Sequence, residues 1–129
     1  MKKNDIITHL EKLDFPKDQY WVLAGSALVM NDVRDTTNDI DLGCTTELFE
    51  RLKQEGHDCS SCPDGSRVIR IGETVEIFEN WDADEIVLID GIPVGSLLSI
   101  RVHKVELGRE KDFRDIALID EYLESREQI

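Results

Sequence analysis

Nowhere in this chain do apolar residues run on for the roughly 20 positions that a membrane-spanning helix needs. The opening Met1-Lys2-Lys3-Asn4-Asp5-Ile6-Ile7-Thr8-His9 has two lysines with no continuous apolar stretch behind them, which argues against a secretory signal. The expected address is cytoplasmic, with no membrane partner. Cysteine is scarce and odd in number: Cys44, Cys59 and Cys62 cannot build a closed disulfide framework. Cys59-Ser60-Ser61-Cys62 has the spacing of half a zinc site, but no second Cys-x-x-Cys or His pair follows, and His57 and Cys44 would have to complete the four ligands. Free thiols in a loop are the expectation. Basic residues are scarce too, 15 Lys and Arg against 28 Asp and Glu, for a formal net charge of −13. Binding to a nucleic-acid backbone draws on Lys and Arg that neutralise phosphates, so DNA and RNA are disfavoured as partners. A small anion such as a nucleoside triphosphate is not, because a metal and a few backbone N–H groups can hold it.

At 129 residues, 40% hydrophobic and 33% charged, the chain suits one domain over residues 1-129. Ile6, Ile7, Leu10 and Leu13 predict a helix over 5–13, N-capped by Asn4 and stopped at Pro16. Tyr20-Trp21-Val22-Leu23 reads as a buried strand. Gly25-Ser26 follows at once, with a helix starting at Ala27-Leu28-Val29-Met30. After a polar loop over 31–38, Asp39-Ile40-Asp41-Leu42-Gly43-Cys44 alternates like a strand. Thr45 or Thr46 caps a helix carrying Leu48, Phe49 and Leu52, ended by Gly56. Residues 57–66 read as loop. Two hairpins follow, 67–71 with 74–78 across Gly72-Glu73, and 86–89 with 92–94 across Asp90-Gly91, where Pro93 suggests an edge arm. Ser96 caps a helix to Leu107, Gly108 breaks it, and a last helix over 112–124 buries Phe113, Ile116, Ala117, Ile119 and Leu123. The order predicts an α+β domain with a mixed β-sheet flanked by helices.

Asp39 and Asp41, two apart on a strand, project from the same face with Cα atoms about 6.5–7 Å apart. Carboxylates at that spacing can share one hard cation or bridge two. Without a cation, each raises the other's pKa. Ile40 and Leu42 make one strand face apolar, while the other carries the carboxylates at its centre. Gly25-Ser26, between a strand and a helix start, offers free backbone N–H groups and close approach to an anion, with the Ser26 hydroxyl as a further donor. His9, His57 and His103 show no pairing with a serine or cysteine nucleophile.

The segment Val22-Leu23-Ala24-Gly25-Ser26-Ala27-Leu28, followed by Arg34-Asp35-Thr36-Thr37-Asn38-Asp39-Ile40-Asp41-Leu42, resembles the signature of the nucleotidyltransferase-fold superfamily. The tail Lys104-Val105-Glu106-Leu107-Gly108-Arg109-Glu110-Lys111-Asp112-Phe113-Arg114-Asp115-Ile116 is similar to a pattern of its minimal, antibiotic-modifying and abortive-infection toxin branches. The resemblance spans residues 20–123. It implies a nucleotidyltransferase-like fold and transfer of a nucleoside monophosphate from a triphosphate to an acceptor that the sequence does not name. Asp39, Asp41 and a third carboxylate, Glu76 rather than Glu79, would be catalytic and would hold one or two Mg2+ ions. Gly25, Ser26, Arg34, Thr37 and Lys104 would bind the nucleotide, with Arg109 and Lys111 in support. Ala24 stands where many members have a first glycine, and Asn31-Asp32-Val33 replaces the usual glycine before the arginine. The chain ends soon after the core fold, so an acceptor would bind a loop, a groove or a second protein. The resemblance also admits a non-catalytic binding or regulatory module within a toxin–antitoxin pair.

Overall fold

Two buried runs set the architecture. Tyr20, Trp21, Val22 and Leu23 form β1 (Tyr20–Leu23), buried along its whole length, and Ile40, Leu42 and Cys44 anchor β2 (Ile40–Cys44) in the core. These strands pair antiparallel, with Val22 opposite Leu42 and Leu23 opposite Asp41. In this computed structural model, which describes residues 1–127, five more strands complete one mixed sheet. They are β3 (Cys59–Ser61), β4 (Arg67–Ile71), β5 (Val75–Glu79), β6 (Ile86–Ile89) and β7 (Ile92–Gly95), in the order β3-β4-β5-β2-β1-β7-β6. β2 is therefore the middle strand, held in parallel register by β5 on one side and antiparallel by β1 on the other.

The helices are α1 (Lys3–Leu13), α2 (Ala24–Met30), α3 (Thr46–Gln54), α4 (Leu97–Leu107) and α5 (Glu110–Glu127). Ile6 and Leu10 of α1, Leu48, Phe49 and Leu52 of α3, Ile100 of α4 and Ile119 of α5 join the sheet residues in one core. Thr45 and Ser96 cap as the sequence indicates, their hydroxyls accepting from the N–H groups of Leu48 and Ser99. Gly108 closes α4 in the left-handed conformation, donating its N–H to the Lys104 carbonyl. No helix among the described residues is long and apolar enough to cross a membrane.

Several boundaries differ from those expected. α1 begins at Lys3, so Asn4 lies inside it, and the Asp5 carboxylate accepts from the Lys2 N–H to close the first turn. α2 begins at Ala24, so Gly25 and Ser26 belong to its first turn rather than preceding it. Part of the expected 57–66 loop is the edge strand β3. The first hairpin turns over three residues, with Ile71 opposite Val75, while the second turns at Asp90-Gly91 as expected, both residues with positive φ as a tight hairpin requires. Pro93 sits not on the edge but on β7, between β6 and β1; its ladder with β1 is short, registered only at Val22 opposite Val94. α5 starts at Glu110, and its inward face carries Asp112, Asp115, Ile116 and Ile119, which leaves Phe113 (59% exposed) and Ala117 outside. Two acids thus take inward positions that the apolar pattern had assigned to Phe113 and Ala117.

Gly43 is the tightest point of the sheet. A Cβ there would fall 2.1 Å from the Trp21 indole nitrogen and 2.3 Å from the Trp81 carbonyl oxygen, which share a 2.7 Å hydrogen bond across the strand. Backbone and a buried indole cannot both yield, so Gly43→Ala is expected to destabilise the fold by about 3 kcal/mol, the upper end for overpacking. Urea unfolding of the variant measures this directly.

Candidate active site

The register of the central strands puts residues 41 and 43 of β2 beside 76 and 78 of β5, Asp41 opposite Glu76 and Gly43 opposite Phe78. Paired residues share a face, so Asp41, Glu76 and Phe78 look out on the same side. Asp39 lies one residue ahead of β2 rather than in mid-strand, exposed at the mouth of the same cleft. This cleft, about 1100 Å³, is also bounded by Gly25, Arg34, Thr37 and Lys104. The third-carboxylate alternatives have different partners. Glu79 accepts two hydrogen bonds from the Arg67 guanidinium, at 2.8 and 2.6 Å, whereas Glu76 stands beside Asp41.

Burial is the first cause that pushes the Asp41 carboxyl up to about 6, followed by the charges of Glu76 and then Asp39; Lys111 and Lys104 oppose the shift. Both neighbouring acids therefore act on Asp41 through space. Their oxygen-only donor chemistry suits a hard cation. Among the described residues, however, no group of three or more His, Cys, Asp or Glu side chains is arranged to hold a metal ion. Glu76 leans the other way, its Oε1 3.8 Å from Nη2 of Arg70 on β4.

Ser26 and Thr37 have roles in positioning the acids. The Ser26 hydroxyl is fully buried; it donates to the Leu23 carbonyl at 2.7 Å and accepts from the Asp41 N–H at 3.1 Å. Committed on both sides, it joins α2 to β2 and leaves no hydrogen to donate to a phosphate. The Thr37 hydroxyl donates to the Asp39 carbonyl at 3.0 Å and accepts from the Asp39 N–H at 3.4 Å, fixing the approach to β2. Gly25 leaves room for Arg34, since a Cβ there would lie 2.9 Å from Nη1 of that arginine.

The basic side of the cleft comes from the chain's tail. Lys104, only 5% exposed, has its Nζ 2.9 Å from Asp115 and 3.7 Å from Asp112. Asp115 also lies 4.0 Å from Arg34. Asp112 is fully buried and receives two hydrogen bonds from the Arg109 side chain, at 2.6 and 3.1 Å, which hold its carboxyl below the usual range. It also accepts from the Arg109 N–H at 3.1 Å, closing the first turn of α5. Five of the chain's 15 basic residues, Arg34, Lys104, Arg109, Lys111 and Arg114, line this one cleft in an otherwise acidic protein. Pairing of the tail's basic residues with Asp112 is a sequence expectation; the anchoring role of Asp115 is not, and its signal is the i, i+3 spacing from Asp112 on one face of α5. The sequence reading also missed Phe78, Trp81 and His103 on the cleft wall, where only Phe78, two residues beyond Glu76, was signalled by strand period. The cysteines are dispersed: Cys44 is buried in β2, where burial pushes its thiol up to about 12, while Cys59 lies on the edge strand β3 and Cys62 just beyond it.

Comparison with protein-family models gives no match, and neither does comparison with curated proteins. Among solved structures, the chain is similar to the crystal structure of ANT(2")-Ia in complex with adenylyl-2"-tobramycin, at 18% identity and a TM-score of 0.59, over 95% of this chain and 87% of that one. The protein has a nucleotidyltransferase-like fold, a single small α+β arrangement with a seven-stranded mixed sheet.

The Asp41 shift has a sign that can be checked. Its folded-state pKa lies above the ordinary 3.8, so the folded protein holds that proton more tightly than the unfolded chain does. Stability is lost as pH rises from about 4 through 6, and the loss is constant above that. Asp41→Asn is expected to be about 2–3 kcal/mol more stable than the parent at pH 8 and equal to it near pH 3.5. Denaturant midpoints across that range test it; a pH-independent difference would show that the Asp41 carboxyl is not raised by burial and its neighbouring charges.

Proposed function

We propose that this protein is a metal-dependent nucleotidyltransferase that moves a nucleoside monophosphate from a triphosphate to an acceptor hydroxyl or phosphate. The observation that carries the reading is the half-buried Asp41, raised by burial and then by the charges of Glu76 and Asp39, and facing a cluster of basic side chains in one cleft, on a nucleotidyltransferase-like fold. Fold alone does not assign a reaction; the charge arrangement makes the case. Asp39 and Asp41 would hold Mg2+, with Glu76 joining them once turned from Arg70. The ion would supply charge neutralisation of the phosphates when bound.

The chain's own residues divide the remaining work. Arg34 and Lys104, freed from Asp115, bind the β- and γ-phosphates, and Gly25 keeps the backbone low enough for Arg34 to lie across it. Glu76 takes the proton of the acceptor hydroxyl as its oxygen bonds to the α-phosphorus. The α–β phosphoanhydride bond breaks, and pyrophosphate leaves against the basic side, where positioning and fixed charge provide most of the acceleration. A non-catalytic nucleotide-binding role has one observation in its favour, the Glu76–Arg70 pairing that draws the third carboxylate aside. It predicts nucleotide binding without pyrophosphate release.

Magnesium with a nucleoside triphosphate at a hundred times Kd should raise stability by about 2.7 kcal/mol, a shift in Tm on the order of 10 °C for a domain of this size. Asp41→Asn should remove most of that shift. If no triphosphate moves the Tm of the parent protein, the reading fails. Gly25→Ala should keep stability within about 1 kcal/mol, because only a flexible arginine tip must move and alanine favours the helix. The same change should weaken triphosphate binding about ten-fold by displacing Arg34; calorimetric titration reads both parent and variant.

A further inference from the structure

Beyond Glu76, the cleft changes character. Phe78 follows on the same face of β5, and the chain then leaves the strand through Asn80 and Trp81. The Trp81 ring packs edge-on against Phe78, with centroids 5.1 Å apart and planes at 81°, and stacks on His103 of α4 at 5.4 Å and 29°. All three side chains line the cleft, and Trp81 is only half-buried.

This wall is rigidly built. The Asn80 N–H donates to the Cys44 carbonyl at 2.8 Å, and its side-chain amide donates to Thr46 at 2.9 Å. The Trp81 carbonyl accepts from the Trp21 indole across Gly43. The Asp82 carbonyl lies 2.8 Å from Nε2 of His103; a carbonyl only accepts, so that nitrogen carries the hydrogen. At the far end of the loop, the Glu85 N–H donates to the Ser99 hydroxyl at 2.8 Å, and the Ser96 N–H donates to the Glu85 carbonyl at 2.9 Å. An aromatic ring fixed in this way loses little freedom when a flat ligand covers it.

We propose that Phe78, Trp81 and His103 form a stacking wall for the nucleobase of the triphosphate. The inference rests on the nucleotide reading above and adds where the base lies. Phe78 lies two positions beyond Glu76 on β5, about 6.5 Å along the strand, a gap that one sugar ring spans between a phosphate at the carboxylates and a base on the wall. The indole face offers π surface without a set of donors and acceptors to read base edges. Such stacking tolerates any base and favours the larger purines.

The test measures binding of Mg-ATP, Mg-UTP and inorganic tripolyphosphate to the parent protein, Trp81→Ala and Trp81→Phe, with tryptophan fluorescence followed in parallel. ATP should bind the parent more tightly than UTP and should quench its fluorescence; tripolyphosphate should not quench. Trp81→Ala should weaken ATP binding about ten-fold or more while leaving tripolyphosphate within two-fold, and Trp81→Phe should restore most of the loss. Unchanged tripolyphosphate binding also certifies that the alanine variant is folded. Should that variant fail to fold, the phenylalanine variant and parent quenching decide. If ATP and tripolyphosphate bind the parent equally and without quenching, the wall does not hold the base, although the nucleotide reading survives. If Trp81→Ala alters only the KM of an acceptor, the wall serves the acceptor and this inference is overturned. If none of the three ligands binds, both readings fall together.

Discussion

Like charge held at the centre of the sheet is the constraint around which this protein is arranged. Asp41 sits on the middle strand with Leu23 opposite on one side and Glu76 on the other. Burial there disfavours its ionised form, and two nearby carboxylates add to the penalty. An isolated carboxylate in such a place would be protonated or selected against. What partly offsets it is outside the sheet, in Lys111 and Lys104, which α5 and α4 bring to the same cleft.

That arrangement explains why the helical tail carries acids where apolar residues were expected. Lys104 can be buried only because Asp112 and Asp115 meet it, and Asp112 can be buried only because Arg109 donates to it twice. A buried pair of this kind adds little net stability, since desolvation offsets the attraction. Its consequence is placement: Lys104 and Arg34 are held at one carboxylate, Asp115, within the cleft. A triphosphate entering there would exchange one anionic partner for another without first having to gather the cations. Phe113 and Ala117 are left on the outer surface because the inward positions of α5 are committed to this charge network.

Much of this was legible in the sequence, for identifiable reasons. Period-two alternation over 40–44, the Asp90-Gly91 turn, and the Thr45, Ser96 and Gly108 caps are local signals, and each corresponds to the element it implies. The proximity of Asp41 and Gly25 follows from the strand–turn–helix order. The direction of side chains was not legible where tertiary partners decide it. Ser26 reads as an exposed donor until the Leu23 carbonyl and the Asp41 N–H are seen to claim its hydroxyl. Glu76 and Glu79 are both strand acids, and only the position of Arg67 separates them. Trp81 carried no motif at all; its place depends on an indole sixty residues earlier in the chain.

Strain and charge repulsion meet in the cleft, although Asp14, Asp32 and Asp90 also adopt positive φ elsewhere. Ala24 adopts φ 55° at the start of α2, where an L side chain costs about 1–2 kcal/mol and where a glycine is usual in the family that the sequence resembles. It lines the same cleft as the repelled Asp41 and the diverted Glu76. Elsewhere the core is conventional, apolar and capped, with its turns matched to their residues. Strain and repulsion that coincide in a concave site are a pattern expected where structure is maintained for a ligand. Ala24 holds the left-handed turn even though glycine would adopt it most easily, so this backbone geometry belongs to the fold.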